Sequence, residues 1–222
     1  MKILVYTAIT GGKDTLKENQ CTTGADFVAY LETPVESKVW TVKKALRREF
    51  DTNRNAKPYK VMLPPEYPEY DYSLWIDGSI ELKVPVQTLI DMYLKDTDIA
   101  MFRHPLRDCA YEEAITCITC DLDDPLIIKE QVLRYKEDKF PEHYGLSECT
   151  IILRRHTKKI IEFCDFWWKE VDRGSRRDQI SFDYSRWKLN IPVTYMEGSV
   201  QKLDNHLTMV GNEYFNFTKH KI

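Results

Sequence analysis

Residues 2–9, KILVYTAI, form an almost unbroken apolar and β-branched run at the start of the chain. A strand with one wet face alternates apolar with polar residues. A run like this one belongs to a strand covered on both faces, the situation of parallel sheets in α/β proteins. The pattern returns at 25–31, ADFVAYL, and at 72–82, YSLWIDGSIEL, which breaks at Asp77-Gly78. Shorter strands are expected at 38–42, 98–104, 149–155 and 191–197. Helical segments fall between them. One starts at Asp51 or Thr52 as N-cap, is complicated by Pro58 and ends at PPEYPEYD. Others cover VQTLIDMYL, residues 108–120 and 125–138, and RRDQISFDYSRW. The segment 157–171 is amphipathic, with Ile160, Ile161, Phe163, Cys164, Trp167, Trp168 and Val171 on one face. Strands alternating with helices define the expected fold class: α/β, a mainly parallel sheet flanked by helices, in a single domain over 1–222.

Composition removes several classes of function. With 43% hydrophobic and 30% charged residues the chain is not a disordered one. A formal net charge of −3 argues against dedicated nucleic-acid binding. No apolar run reaches the roughly 18–20 residues of a membrane-spanning helix. The opening MKILVYTAITGG reads as a first core strand and not as a signal peptide, so a cytoplasmic location is expected. The six cysteines are scattered, which suits free thiols. The lone Cys117-x-x-Cys120 lacks the second pair or the histidines of a zinc site.

Several polar motifs fall at the ends of expected strands, where ligands of open α/β sheets bind. Asp77-Gly78-Ser79 follows the apolar Leu74-Trp75-Ile76. An aspartate there can hold a divalent cation that bridges two phosphates; a tight turn capped by its own aspartate is the competing reading. Arg54, Lys57 and Lys60, spaced by three, would share a helical face just before that strand, as phosphate partners or as a solvated face. Thr10-Gly11-Gly12-Lys13-Asp14 would let backbone approach a phosphate or ribose, without the spacing of a dinucleotide fingerprint or P-loop. Arg103-His104-Pro105-Leu106-Arg107-Asp108 is a loop dense in titratable groups. Arg176-Arg177-Asp178-Gln179 opens a helix, where a carboxylate is favoured by the dipole and a polar pair could face a sugar.

In chain order YTAITGGKD, ADFVAYLE, RNAKPYK, SLWIDGSI, FRHPLRDCAYEEA, GLSECTIILRRH, FWWKEV and RRDQISF resemble the TOD/MUCI-type glycosyltransferase-like domain, over most of residues 3–185. In layout they are similar to galactosyltransferase family 8 and to a chlorovirus-encoded glycosyltransferase domain. The resemblance implies a GT-A-like fold, a UDP-sugar donor of the hexose or deoxyhexose class, a glycan acceptor and Mn²⁺ (or Mg²⁺). By it, Thr7, Ala8, Thr10 and Gly11 line the nucleotide, and Lys57, with Arg54 and Lys60, meets the donor beside Asp77 and Gly78. Asp77 corresponds to the first aspartate of a metal-binding DxD; the third position is Ser79, a departure that leaves one strong carboxylate. His206 stands in for a late metal-binding histidine, and Asp178 and Gln179 line the sugar. Arg103, His104 and Glu148 fall on the acceptor side, Glu148 or Asp178 being the base if configuration inverts. The family-8 likeness favours retention. The alternatives are a sugar nucleotidyltransferase or hydrolase, and a non-catalytic glycan-binding domain.

Overall fold

The computed structural model describes residues 1–12, 14–46, 51–198 and 213–218. In chain order the strands are β1 (Ile3–Ile9), β2 (Asp26–Leu31), β3 (Thr41–Lys44), β4 (Tyr72–Ile76), β5 (Ile80–Leu82), β6 (Ile99–Arg103), β7 (Ser147–Arg155), β8 (Thr194–Met196) and β9 (Phe215–Phe217). The helices are α1 (Thr52–Val61), α2 (Val86–Tyr93), α3 (Ala110–Thr119), α4 (Pro125–Glu137), α5 (Lys158–Asp172) and α6 (Asp178–Lys188). Seven strands form the main sheet in the order β3-β2-β1-β4-β7-β6-β8. β7 alone runs antiparallel to both its neighbours, so the sheet is mainly parallel, as expected. The third strand lies at Thr41–Lys44, slightly later than expected from its apolar residues. β5 leaves the main sheet and pairs antiparallel with β9.

The side-chain period of two sorts the core. Ile3, Val5, Leu74, Ile76, Ile151 and Leu153 face α2 and the β5–β9 ribbon. Leu4, Tyr6, Trp75, Met101 and Ile152 face α5, whose Ile160, Phe163 and Trp167 are fully buried. A third cluster joins α3, α4 and α6 through Cys117, Ile128, Tyr135 and Ile180. Among the described residues no helix is long and apolar enough to cross a membrane.

α1 runs straight through Pro58. A proline this far into a helix removes one N–H, and other contacts compensate at both ends. Asp51 caps the first turn, accepting from the Asn53 amide at 2.9 Å, and Arg176 pairs with the same carboxylate at 2.6 Å. At the other end the buried Arg154 guanidinium donates to the carbonyls of Lys60 and Val61 at 3.2 and 3.3 Å. A cation at a helix C-terminus also complements the dipole. α1 is thereby fixed against β1 and α5, with Lys57 and Lys60 beside the carboxyl ends of the central strands.

Candidate active site

β1 and β4 are parallel neighbours, so Thr10 and Asp77 emerge at the same edge of the sheet. The turn after β4 is held by the Asp77 amide donating to the Thr150 carbonyl and the Ile80 amide donating to the Asp77 carbonyl, both at 3.0 Å. Gly78 is required by space. A Cβ on it would stand 2.8 Å from Ile9 Cγ1 and 3.2 Å from Asp14 Cβ. Here the loop after β1 and the turn after β4 touch, and a cleft of about 570 Å³ opens beside them.

The floor of this cleft is an ion cluster. Lys57 Nζ lies 2.5 Å from Asp178 Oδ1; Lys60 Nζ lies 2.9 Å from Asp178 Oδ2 and 3.3 Å from Asp77 Oδ1. The Trp75 indole N–H donates to Asp77 Oδ1 at 2.7 Å. The helix period explains why both lysines reach it: Asn53, Ala56, Lys57 and Lys60 make the i, i+3, i+4, i+7 stripe of α1 that lines the cleft. Asp178 comes from the first turn of α6, favoured there by the dipole, and the Trp167 indole fixes that turn by donating to the Asp178 carbonyl at 3.1 Å.

Charge states follow from this packing. Burial by itself would raise the Asp178 carboxyl, but Lys57 and Lys60 hold it well below the ordinary carboxylate range. Burial works against the Lys60 ammonium too, and Asp178 with Asp77 more than offsets it, so Lys60 is raised. For Lys57 burial wins over its Asp178 partner, with Lys60 adding repulsion, and its pKa is lowered.

Arginines wall the cleft. Arg176 donates to the Leu122 carbonyl at 3.1 Å through Nε and at 2.7 Å through Nη2, besides pairing with Asp51. Asp123 holds the same segment by accepting from the Ser175 hydroxyl at 2.6 Å and the Arg176 amide at 2.7 Å. Arg177 stands 3.9 Å from the buried Glu113. Among the described residues two buried nitrogens on either side of Asp178, Arg177 Nε and Gln179 Nε2, have no hydrogen-bond partner. Asp178 Oδ2 is itself answered by the Lys60 ammonium at 2.9 Å. Unpartnered buried donors are costly, and a hydroxylated ligand would satisfy them.

The expected site residues fall into two groups. Ala8, Thr10, Lys57, Lys60, Asp77 and Gly78 line the cleft, and Asp178 joins them through the lysines. The others stand elsewhere. Thr7 is inside the sheet layer with an unpartnered hydroxyl. Gly11, at φ +70°, donates its amide to the Glu32 carboxylate at 2.8 Å, and a Cβ on it would meet Thr52 Oγ1 at 2.4 Å. Arg54 turns away from the cleft and donates to the Gly174 carbonyl at 2.8 Å. Glu148 is buried and accepts from the Thr150 hydroxyl at 3.1 Å. Arg103 lies over the Tyr195 ring at 4.3 Å. His104 is buried, which lowers its pKa, and its Nδ1 accepts from the Arg107 amide at 3.0 Å. His206 lies outside the described residues. Asp14, Asp121, Leu122 and Arg176 line the cleft without having been expected there; their signal is only their closeness to Thr10-Gly11-Gly12 and to Asp178.

Asp77 fits a hard divalent cation as a single carboxylate. Its side chain is 34% exposed, and Oδ1 is the oxygen given to Trp75 and Lys60. Ser79 does not fit. It is 1% exposed, its hydroxyl has no partner, and its carbonyl is tied to the Thr218 amide at 2.8 Å. Among the described residues the one group of three close metal-ligand side chains is Asp108, Glu112 and His143, all exposed and none of them lining this cleft.

A polar cleft at the carboxyl edge of a mainly parallel sheet, floored by paired lysines and aspartates, defines an α/β domain with a candidate ligand site. Its family is shown by sequence: residues 34–210 match the TOD1/MUCI70, glycosyltransferase-like domain, and the chain belongs to that family. Among curated proteins it is 34% identical over 149 residues to "Probable hexosyltransferase MUCI70" of Arabidopsis thaliana, an alignment covering 63% of this chain and 26% of that protein. It is 27% identical over 138 residues to "Alkaline ceramidase TOD1" of the same plant, covering 57% and 30%. The chain thus spans less than a third of the length of these relatives. Similar solved structures include the bifunctional glycosyltransferase WbbM, at TM-score 0.49 and 11% identity, covering 88% of this chain and 38% of that one. Another is a glycosyltransferase involved in glycosylation of the major capsid of PBCV-1, at TM-score 0.48 and 10% identity, covering 88% and 81%.

Proposed function

We propose that this domain transfers a hexose or deoxyhexose from a UDP-sugar to a glycan acceptor, with retention of configuration. The observation that carries the reading is the meeting of two features in one cleft. The Lys57–Asp178–Lys60–Asp77 cluster offers ammonium groups to a diphosphate, and Arg177 and Gln179, which flank Asp178 in sequence, carry buried nitrogens without a partner that suit a sugar. Membership of a glycosyltransferase-like family supports the same reading.

In the reaction the bond between the anomeric carbon and the β-phosphate oxygen breaks, and its electron pair leaves with UDP. The acceptor oxygen forms the new bond on the same face and gives its proton to the departing diphosphate. Lys57 and Lys60 stabilise the charge that develops on the leaving group, an effect strongest in a cleft shielded from water. Asp178, held ionised by both lysines, orients the sugar hydroxyls and faces the positive character of the ring, while the Gln179 amide donates to the sugar. Mn²⁺ or Mg²⁺, held by Asp77 together with the diphosphate, would add charge neutralisation at the same oxygens.

The test is a thermal-shift scan with UDP, with and without Mn²⁺, followed by a UDP-release screen over UDP-hexoses. A ligand that binds only the folded state raises the melting temperature by linkage. Stabilisation by UDP and release of UDP from at least one donor support the transferase. Indifference to UDP would favour a glycan-binding domain, and donor cleavage that never needs an acceptor would favour a hydrolase.

A further inference from the structure

Beside α1, on the other side of Lys57 from the cleft, a second pocket of about 330 Å³ opens toward α4 and α5. Its apolar wall is Pro58, Ile127 and Trp168, and charged residues from two segments line it: Arg54 and Lys57 of α1, and Asp172 and Arg173 at the end of α5. Two of these residues offer groups to a ligand. Arg54 donates to the carbonyls of Val171 and Gly174, at 3.4 and 2.8 Å, and pairs with no carboxylate among the described residues. Arg173, by contrast, is paired with Glu170, and Lys57 with Asp178. Trp168 is half-buried in the pocket, and its indole N–H is neither enclosed nor accepted by a described residue. Its neighbour Trp167 is fully buried and gives the same group to Asp178 and Ser181 at 3.1 and 3.2 Å. A half-exposed indole suits a sugar ring, which has an apolar face and polar edges, and a planar guanidinium without a carboxylate suits an anion. The volume lies at the small end of small-molecule sites.

We propose that this pocket is the acceptor subsite and takes a saccharide ring that carries an anionic group, the ring lying on Trp168 and the carboxylate or phosphate on Arg54. Its role as acceptor site rests on the transferase reading above. Lys57 lines both the pocket and the cleft, so an acceptor here and a donor there meet across that residue. A neutral oligosaccharide would leave Arg54 unanswered and is the weaker ligand.

Calorimetric titration of the purified chain with methyl glucuronide, glucose 6-phosphate and methyl glucoside tests this. At least one anionic sugar should bind five-fold or more tighter than methyl glucoside, and the two anionic arms tell carboxylate from phosphate. Arg54→Gln should erase that preference. Trp168→Leu should weaken all saccharide binding at least five-fold while leaving UDP affinity within two-fold of wild type. Should Trp168→Leu not fold, Arg54→Gln decides alone. No anionic preference in wild type, or a preference unchanged by Arg54→Gln, overturns the subsite. UDP binding without saccharide binding also overturns it and leaves the transferase reading standing. Saccharide binding that responds to both substitutions in a chain indifferent to UDP keeps the pocket as a sugar site and removes the transferase reading.

Discussion

Asp178 is the counter-ion of two buried lysines, and its removal acts on stability as well as on chemistry. Asp178→Asn leaves two ammonium groups facing a neutral amide. Breaking a buried pair by removing one partner costs about 3–5 kcal/mol, so a clear fall in the denaturation midpoint is expected, together with reduced turnover. The pH dependence follows the same link. The folded-state pKa of Asp178 is depressed, so its contribution is present above the unfolded carboxyl value of about 3.9 and is lost as pH falls through the lower folded value. Unfolding free energy measured between pH 5 and 2 should therefore fall less steeply in Asp178→Asn than in wild type; equal slopes would show that Asp178 is not held ionised by its lysines. Asp77 calls for a milder change. Asp77→Asn keeps an acceptor for the Trp75 indole, so the melting temperature should move little. Mn²⁺-dependent UDP affinity should drop at least ten-fold, about 1.4 kcal/mol. Undiminished affinity by calorimetry would make Asp77-Gly78-Ser79 a turn and nothing more.

α1 shows what a sequence can and cannot tell at the scale of an element. Its start, its cap and its basic content are legible from local rules, because capping and helical spacing are local physics. The direction of Arg54 is not. Steps of three lag the 3.6-residue turn, so Arg54 and Lys60 stand about 120° apart around the helix. Lys57, between them, faces both openings. The turn after β4 hides Ser79 for a related reason: β5 leaves the main sheet to pair with β9, and that pairing is non-local. Asp51 ties α1 to the α6 entry through Arg176. Asp51→Ala should cost about 1–2 kcal/mol of stability, in the upper part of the range for a lost cap. It should also loosen the cleft wall at Arg176. A urea midpoint unchanged from wild type would mean that Arg176 is held by Leu122 and Asp123 alone.

At the scale of the molecule, the α/β class and the cleft at the strand ends were legible because buried parallel strands leave unbroken apolar runs and because polar residues at strand ends have few other uses. The reversed direction of β7 was not, since a strand buried on both faces reads the same either way. The residues expected on an acceptor side do not line the cleft. Arg103, His104 and Glu148 are dense in titratable groups, yet the structure spends them on Tyr195, on a loop amide and on Thr150. The pocket at Trp168 draws its walls from three helices that are distant in sequence. In the proposed reaction the lysine–aspartate cluster receives the diphosphate of a nucleotide sugar. The most direct test of that role is calorimetric titration of UDP, in the presence of Mn²⁺, into wild type and Lys57→Gln. Lys60 still neutralises Asp178 in the variant, so the fold should survive. Saturable binding by wild type, weakened ten-fold or more in the variant, is the predicted result; equal affinities, or no binding by either protein, would contradict it.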